Sequence, residues 1–270
     1  MPDSQIPSSR AVSSSHYQRW ITGLLIGIPV MACLILGPRW SWCLLISTVA
    51  PIAVWELHGL IFREPLPHRW QALSFSTAML LPFSTYFLGL AGLNLTLFCA
   101  FFSALFLMLA RSPRNPEEIP RIAQLVFAWV YVPFLLSFVL LLGDAPRGRM
   151  WVVFVLLVII AGDAGAYHTG VKLGRHKLFE RVSPKKTIEG ALGGLLASLI
   201  AGSTIWLFLF RDLPFAQLLT YSFFIAAVGQ VGDLFESMIK RNFDKKDSSG
   251  LLPGHGGLLD RLDSLLFAFP

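Results

Sequence analysis

Charge is scarce in this chain of 270 residues. Asp, Glu, Lys and Arg make up 14% of it, against 54% hydrophobic residues and a mean hydropathy of +0.63. Soluble domains carry about 25% charged residues, so the shortage excludes an ordinary water-soluble globule. Cysteine is scarce as well. Cys33, Cys43 and Cys99 all sit in apolar runs without metal-type spacing, which excludes a disulfide framework and leaves packing as their role. No long polar stretch separates the apolar runs, so no soluble domain fits between them, and no internal repeat is evident. Acids are fewer than bases, 16 against 22, giving a formal charge of +6 and a pI near 9.5. In a chain this apolar, basic excess points to loops facing anionic lipid, and no nucleic-acid partner is expected.

What is present is a succession of apolar runs, each long enough to cross about 30 Å of hydrocarbon. They fall at 20–36, 41–61, 70–90, 93–110, 122–142, 150–170, 190–210 and 214–236, and a ninth begins at Leu258. The expected fold is all-α: a polytopic integral membrane protein of about eight to nine transmembrane helices. Residues 1–19 are polar and Ser-rich and read as a flexible tail, with 20–270 as one transmembrane domain. Arg10 and Arg19 precede the first span and no small-residue cleavage site follows it, so it reads as a retained signal anchor.

Charge also sets the orientation. With a cytoplasmic N-terminus, seventeen Lys and Arg fall in the tail and alternate loops. Four (Arg39, Arg147, Arg149, Arg211) fall in the opposite loops, and Arg261 stands at the start of the last segment. The positive-inside rule then puts the basic loops 172–186 and 240–256 in the cytoplasm.

The few acids are concentrated where they cost most. Asp163, Asp233, Glu236, Asp260 and Asp263 lie within or at the ends of apolar segments, at one expected membrane depth. Asp233, Glu236, Ser237 and Lys240 share a helix face by their i, i+3, i+4, i+7 spacing, and Asp260 and Asp263 repeat the i, i+3 relation. Between them run Lys240, Arg241, Lys245, Lys246, Asp247 and the stretch Gly254-His255-Gly256-Gly257. Carboxylates hold hard divalent cations, Lys and Arg match phosphate oxygens, and glycines let backbone N–H groups approach an anion. Those are the components of nucleotidyl or phosphoryl transfer. Upstream, Ser183-Pro184-Lys185-Lys186-Thr187 places two lysines before a helix that Thr187 caps, at an end that favours anions. The plainer readings are a topology anchor for Lys185 and Lys186 and an i, i+4 pair for Glu236 with Lys240. Glu56 reads as structural or interfacial, and His58 and His168 as packing residues. Gly190, Gly193, Gly194, Ala197, Ala201 and Gly202 form a small-residue face for close helix packing.

Ser237-x-x-Lys240-Arg241-x-x-x-x-Lys246-Asp247, followed by Pro253-x-His255-Gly256-Gly257-x-x-Asp260-Arg261-x-Asp263, resembles the signature of phosphatidate cytidylyltransferases (CDP-diacylglycerol synthases). Asp163-Ala-Gly-Ala-Tyr167 and Ser183-Pro184-Lys185-Lys186-Thr187 are similar to that family's other blocks, so the resemblance spans about 150–264 by motif. It implies transfer of CMP from CTP to phosphatidate, giving CDP-diacylglycerol and pyrophosphate in phospholipid biosynthesis. It implies a polar cavity at the cytoplasmic side of an inner or plasma membrane, with CTP, phosphatidate and the bilayer as partners and a homodimer as the assembly. A paired-cation site would contain Mg²⁺ and a second cation such as K⁺. Carried over by motif, Asp233 and Asp260 hold the metal, with Asp163, Glu236, Asp247 and Asp263 as further candidates. Asp233, Asp260, Lys240, Arg241 and His255 are the catalytic set, and Lys185, Lys186, Thr187, Lys246 and Arg261 bind phosphate. Family members continue through a full last helix, whereas this chain stops at Phe269-Pro270, so a truncated last span is expected. The alternative from another class is a secondary transporter of a phosphorylated or anionic substrate, which would place its site near the midplane between inverted repeats. A CDP-alcohol phosphatidyltransferase would show DGxxAR…GxxxDxxxD, which is absent.

Overall fold

A computed structural model describes residues 25, 27–110, 117–252 and 256–270. The tail 1–19, Arg111, Arg114 and the Pro253-Gly254-His255 stretch lie outside the described residues. Apolar composition without β-periodicity gives helix wherever the chain must satisfy its backbone away from water. In chain order the helices are α1 (Gly27–Leu36), α2 (Arg39–Ile61), α3 (His68–Leu109), α4 (Glu118–Trp129), α5 (Leu135–Asp144), α6 (Gly148–Leu173), α7 (Ile188–Leu209), α8 (Phe215–Asn242) and α9 (Leu259–Ala268). The chain is an all-α polytopic membrane protein, as its hydropathy predicts.

α3 has 42 residues, which at 1.5 Å per residue would run about 63 Å, twice a bilayer's hydrocarbon thickness. It breaks at Gly89, whose φ of 59° is closed to most L-residues. The arms fold back on each other. Thr96 Oγ1 donates to Ser84 Oγ at 2.7 Å, and Ser84 Oγ donates to Gly92 O at 3.1 Å. The two runs at 70–90 and 93–110 are thus a hairpin of two spans. α4 and α5 make one pass, Glu118–Asp144, joined by a π-helical turn at Val130–Phe134 that contains Pro133. A proline lacks the N–H that the regular ladder needs, and the wider turn absorbs the defect.

The small-residue face on α7 meets α6. A Cβ on Gly165 would strike Ala197, one on Gly162 would strike Ser198, and Ser198 Oγ donates to Val158 O at 2.8 Å. Polar groups collect at the two ends of the bundle. At one end Arg39 pairs with Asp144, Arg147 donates to Asp212 at 2.7 Å, and Arg149 reaches Ile35 O and Gly37 O, both at 2.7 Å. Arg147 holds the Asp212 carboxyl below the usual carboxylate range. Three of the four arginines assigned to the sparsely charged loops are therefore tied down by neighbouring loops.

At the other end the sequence reading is corrected in one detail. Residues expected as loop form a hairpin, β1 (Lys177–Phe179) antiparallel to β2 (Ser183–Thr187), with Lys177 opposite Thr187 and Phe179 opposite Ser183. Strands this short show no readable alternation. Pro184 is tolerated because a two-stranded sheet has only edge strands.

Candidate active site

α6, the hairpin, α7 and α8 enclose a cavity of about 620 Å³. α6 presents Asp163, Tyr167, Gly170 and Val171, spaced i, i+4, i+7, i+8 on one face. α8 presents Gln230, Asp233 and Leu234, and the hairpin contributes Lys177, Lys185 and Lys186. Thr187 Oγ1 accepts from Gly190 N–H at 3.1 Å, capping α7 as its position predicts. Lys186 Nζ lies 2.5 Å from Asp233 Oδ2 and ties hairpin to helix across the cavity. Gln230 Nε2 donates to Ala191 O at 3.0 Å and holds α8 against α7. Walls are largely apolar, with acids on the helices and lysines on the hairpin.

A second network lies where α8 turns into α9. Lys240 Nζ stands 2.5 Å from Asp260 Oδ1 and 3.2 Å from the fully buried Glu236. Asp260 Oδ2 accepts from Ser248 N–H (3.0 Å), Ser248 Oγ (3.0 Å) and Gly257 N–H (2.8 Å). Glu56, reaching in from α2, accepts from Ser248 Oγ (3.2 Å), Ser249 Oγ (2.5 Å), Leu258 N–H (2.9 Å) and Leu259 N–H (2.6 Å). A structural role for Glu56 is what the sequence predicts. The Gly256-Gly257 pair makes a close approach to anionic groups, as consecutive glycines allow. Gly256 has φ +81°, and a Cβ on Gly257 would collide with Ser248 Oγ and the Glu56 carboxylate. The anions these glycines approach are the protein's own carboxylates.

The remaining candidates are only partly brought together with these networks. Asp163, Asp233 and Asp263, from α6, α8 and α9, stand within electrostatic reach of one another, and the charge of Arg261 is felt at Asp163. Arg241 turns to the backbone: its Nε donates to Val182 O and its Nη1 to Lys245 O, both at 3.3 Å. Lys246 and Asp247 are exposed on the loop and do not line the cavity. His255 lies outside the described residues. Three residues escaped the sequence reading. Lys177 and Gln230 line the cavity, and Gln230 carries a signal in its i−3 relation to Asp233. Tyr131 packs among Phe127, Phe235 and Phe267 within electrostatic reach of Glu236, Asp263 and Asp233. Nothing in an apolar span distinguishes such a tyrosine beforehand.

Among the described residues no group of three or more His, Cys, Asp or Glu is gathered closely enough to cage a metal. Mg²⁺ does not need such a cage: it takes one or two carboxylates together with substrate phosphates and water. Asp233 Oδ2 and Asp260 Oδ1 each face an ammonium nitrogen at 2.5 Å, the position a cation takes against a carboxylate. Each carboxylate is an oxygen donor of the kind a hard cation takes, in its own network and paired there with a lysine.

Residues 17–270 match the model of a cytidylyltransferase family. A protein of Bacillus subtilis (strain 168) named phosphatidate cytidylyltransferase is 31% identical over 259 residues, covering 94% of each chain. Proteins of the same name from Staphylococcus saprophyticus and Staphylococcus aureus (strain COL) are 42% and 40% identical over 135 residues, half of this chain and 52% of theirs.

Proposed function

The chain belongs to the cytidylyltransferase family, and we propose that it transfers a cytidylyl group from CTP to phosphatidate, giving CDP-diacylglycerol and pyrophosphate for phospholipid synthesis. The observation that carries this reading is a cavity in which Lys177, Lys185 and Lys186 face Asp163 and Asp233 between membrane-spanning helices. A phosphatidate phosphate is already a nucleophile, so no enzyme-bound intermediate is required. One of its oxygens attacks the α-phosphorus of CTP, a P–O bond forms, and the bond to the bridging oxygen breaks to release pyrophosphate. What the protein supplies is charge neutralisation and alignment of two repelling anions.

In this reading Lys185 and Lys186 take phosphate oxygens, and Asp233 gives up Lys186 as they do so. Lys240 is presented to the leaving pyrophosphate from its place between Glu236 and Asp260. Arg241 fixes the loop to the hairpin. Asp233 and Asp260 would hold Mg²⁺, with Asp163 and Asp263 completing the negative field. The ion's chemistry is to offset phosphate charge as it builds up in the transition state. The apolar walls between α6 and α8 suit the lipid end of the substrate, whose tails stay in the bilayer. The division of basic residues supports a cytoplasmic mouth, and the bacterial relatives support a plasma membrane.

The test is pyrophosphate release by the purified protein in liposomes or detergent. Turnover is expected only when CTP, phosphatidate and Mg²⁺ are all present. CTP hydrolysis indifferent to phosphatidate, or flux of an anionic solute without pyrophosphate release, overturns the reading.

A further inference from the structure

Glu56 sits on α2, outside the 150–264 region that carries every motif described above, and is 1% exposed. A bare carboxylate is unfavourable in such a place unless donors surround it. Four do. Oε1 takes Ser249 Oγ and Leu258 N–H, and Oε2 takes Ser248 Oγ and Leu259 N–H. The two N–H groups are orphan donors at the start of α9, so Glu56 caps that helix from 202 and 203 residues away in sequence. Ser248 carries the link onward, because its one hydroxyl proton is shared between Glu56 Oε2 and Asp260 Oδ2, 3.0 Å from the latter, and Asp260 Oδ1 takes Lys240. Gly257 closes against the Glu56 carboxylate and Ser248 Oγ with no room for a Cβ.

We propose that Glu56 is a positioning residue for the reaction: it fixes the loop between α8 and α9 and so sets where Asp260 and Lys240 stand beside the acids of α8. The kinetic half of this statement rests on cytidylyl transfer, and the loop-fixing half does not. Glu56 touches none of the groups assigned to phosphate capture on the hairpin. Its loss therefore acts on turnover and leaves substrate affinity alone.

Glu56→Gln and Glu56→Asp separate positioning from packing. Gln fills the same volume, but whichever way its amide turns, an NH₂ group meets a backbone N–H, Leu258 or Leu259, that can only donate. Asp keeps charge and acceptors yet falls one methylene short. Positioning ranks Asp above Gln, and packing ranks Gln above Asp. Glu56→Gln is expected to lower kcat about tenfold to a hundredfold, as loss of supporting hydrogen bonds does elsewhere, with KM for CTP unchanged. Glu64→Gln, at an exposed acid nearby, is expected to leave kcat at the wild-type value. Independently of turnover, amide hydrogen exchange at residues 257–259 is expected to accelerate in Glu56→Gln and not in Glu64→Gln. Wild-type kcat in Glu56→Gln, Gln outperforming Asp, or unchanged exchange at 257–259 each overturns the proposal. If the wild-type chain shows no phosphatidate-dependent use of CTP, the reaction is what fails, and the exchange measurement still decides whether Glu56 fixes the loop.

Discussion

Lys186 on β2 and Asp233 on α8 close a 2.5 Å ion pair across the cavity, joining a hairpin to a transmembrane helix. Their side chains are 28% and 32% exposed, so water screens the pair and its contribution to stability is about 0–1 kcal/mol. Its value lies in where it holds two opposite charges that a bound phosphate and a cation would each reclaim.

Lys186→Ala should therefore leave the melting temperature near that of the wild type. It should lower kcat/KM about tenfold to a hundredfold, the worth of one charge-assisted phosphate contact of about 1.5–3 kcal/mol. Lys185→Ala, at an exposed rim position, should follow the same pattern. Arg241→Ala should also loosen the loop, because its guanidinium holds Val182 O and Lys245 O. Steady-state kinetics paired with thermal melts distinguish these cases. Wild-type kinetics in both lysine variants would reduce the hairpin to a topology anchor.

The spans were legible because hydropathy accumulates over about twenty residues and needs no tertiary context. Even the α3 hairpin showed as two runs, with the break at Gly89 falling at the end of the first. Asp163, Asp233, Lys185 and Lys186 were legible because charge is costly at membrane depth and stands out against an apolar background, whereas Lys177 was one basic loop residue among many. The β1–β2 hairpin was not, being too short for a period to show. Glu56 was recognised as structural, but its work was hidden: its contact with Ser248 spans 192 residues of sequence, and only the fold brings α2 to that loop. The same blindness hid which anion the Gly256-Gly257 pair approaches. From sequence, close approach to an anion looks the same whichever carboxylate or phosphate supplies the charge.

Orientation gives the second prediction. After replacement of Cys33, Cys43 and Cys99, a single cysteine at Lys177 or Ser249 should react with a membrane-impermeant maleimide only from the cytoplasmic side. A cysteine at Asp212, in the loop where Arg147 binds it, should react only from the opposite side. Labelling of Lys177 or Ser249 positions from outside would invert the topology and remove nucleotide access to the cavity.

The third prediction separates two aspartates that the sequence treats alike. Both read as metal ligands, but their surroundings differ. Asp233 pairs with a half-exposed lysine, so Asp233→Asn should leave thermal stability close to the wild-type value while turnover falls by orders of magnitude. Asp260 receives Lys240, two N–H groups and the Ser248 hydroxyl, and its side chain is only 8% exposed. In Asp260→Asn an NH₂ group must face some of those donors, leaving buried groups unsatisfied at about 1–3 kcal/mol. Stability and turnover should then fall together in Asp260→Asn and separate in Asp233→Asn. Thermal melts and Mg²⁺-dependent pyrophosphate release, read on the same preparations, make the comparison. If Asp233→Asn destabilises as much as Asp260→Asn, Asp233 is a scaffold carboxylate. Near-normal turnover in Asp233→Asn removes it from the metal site.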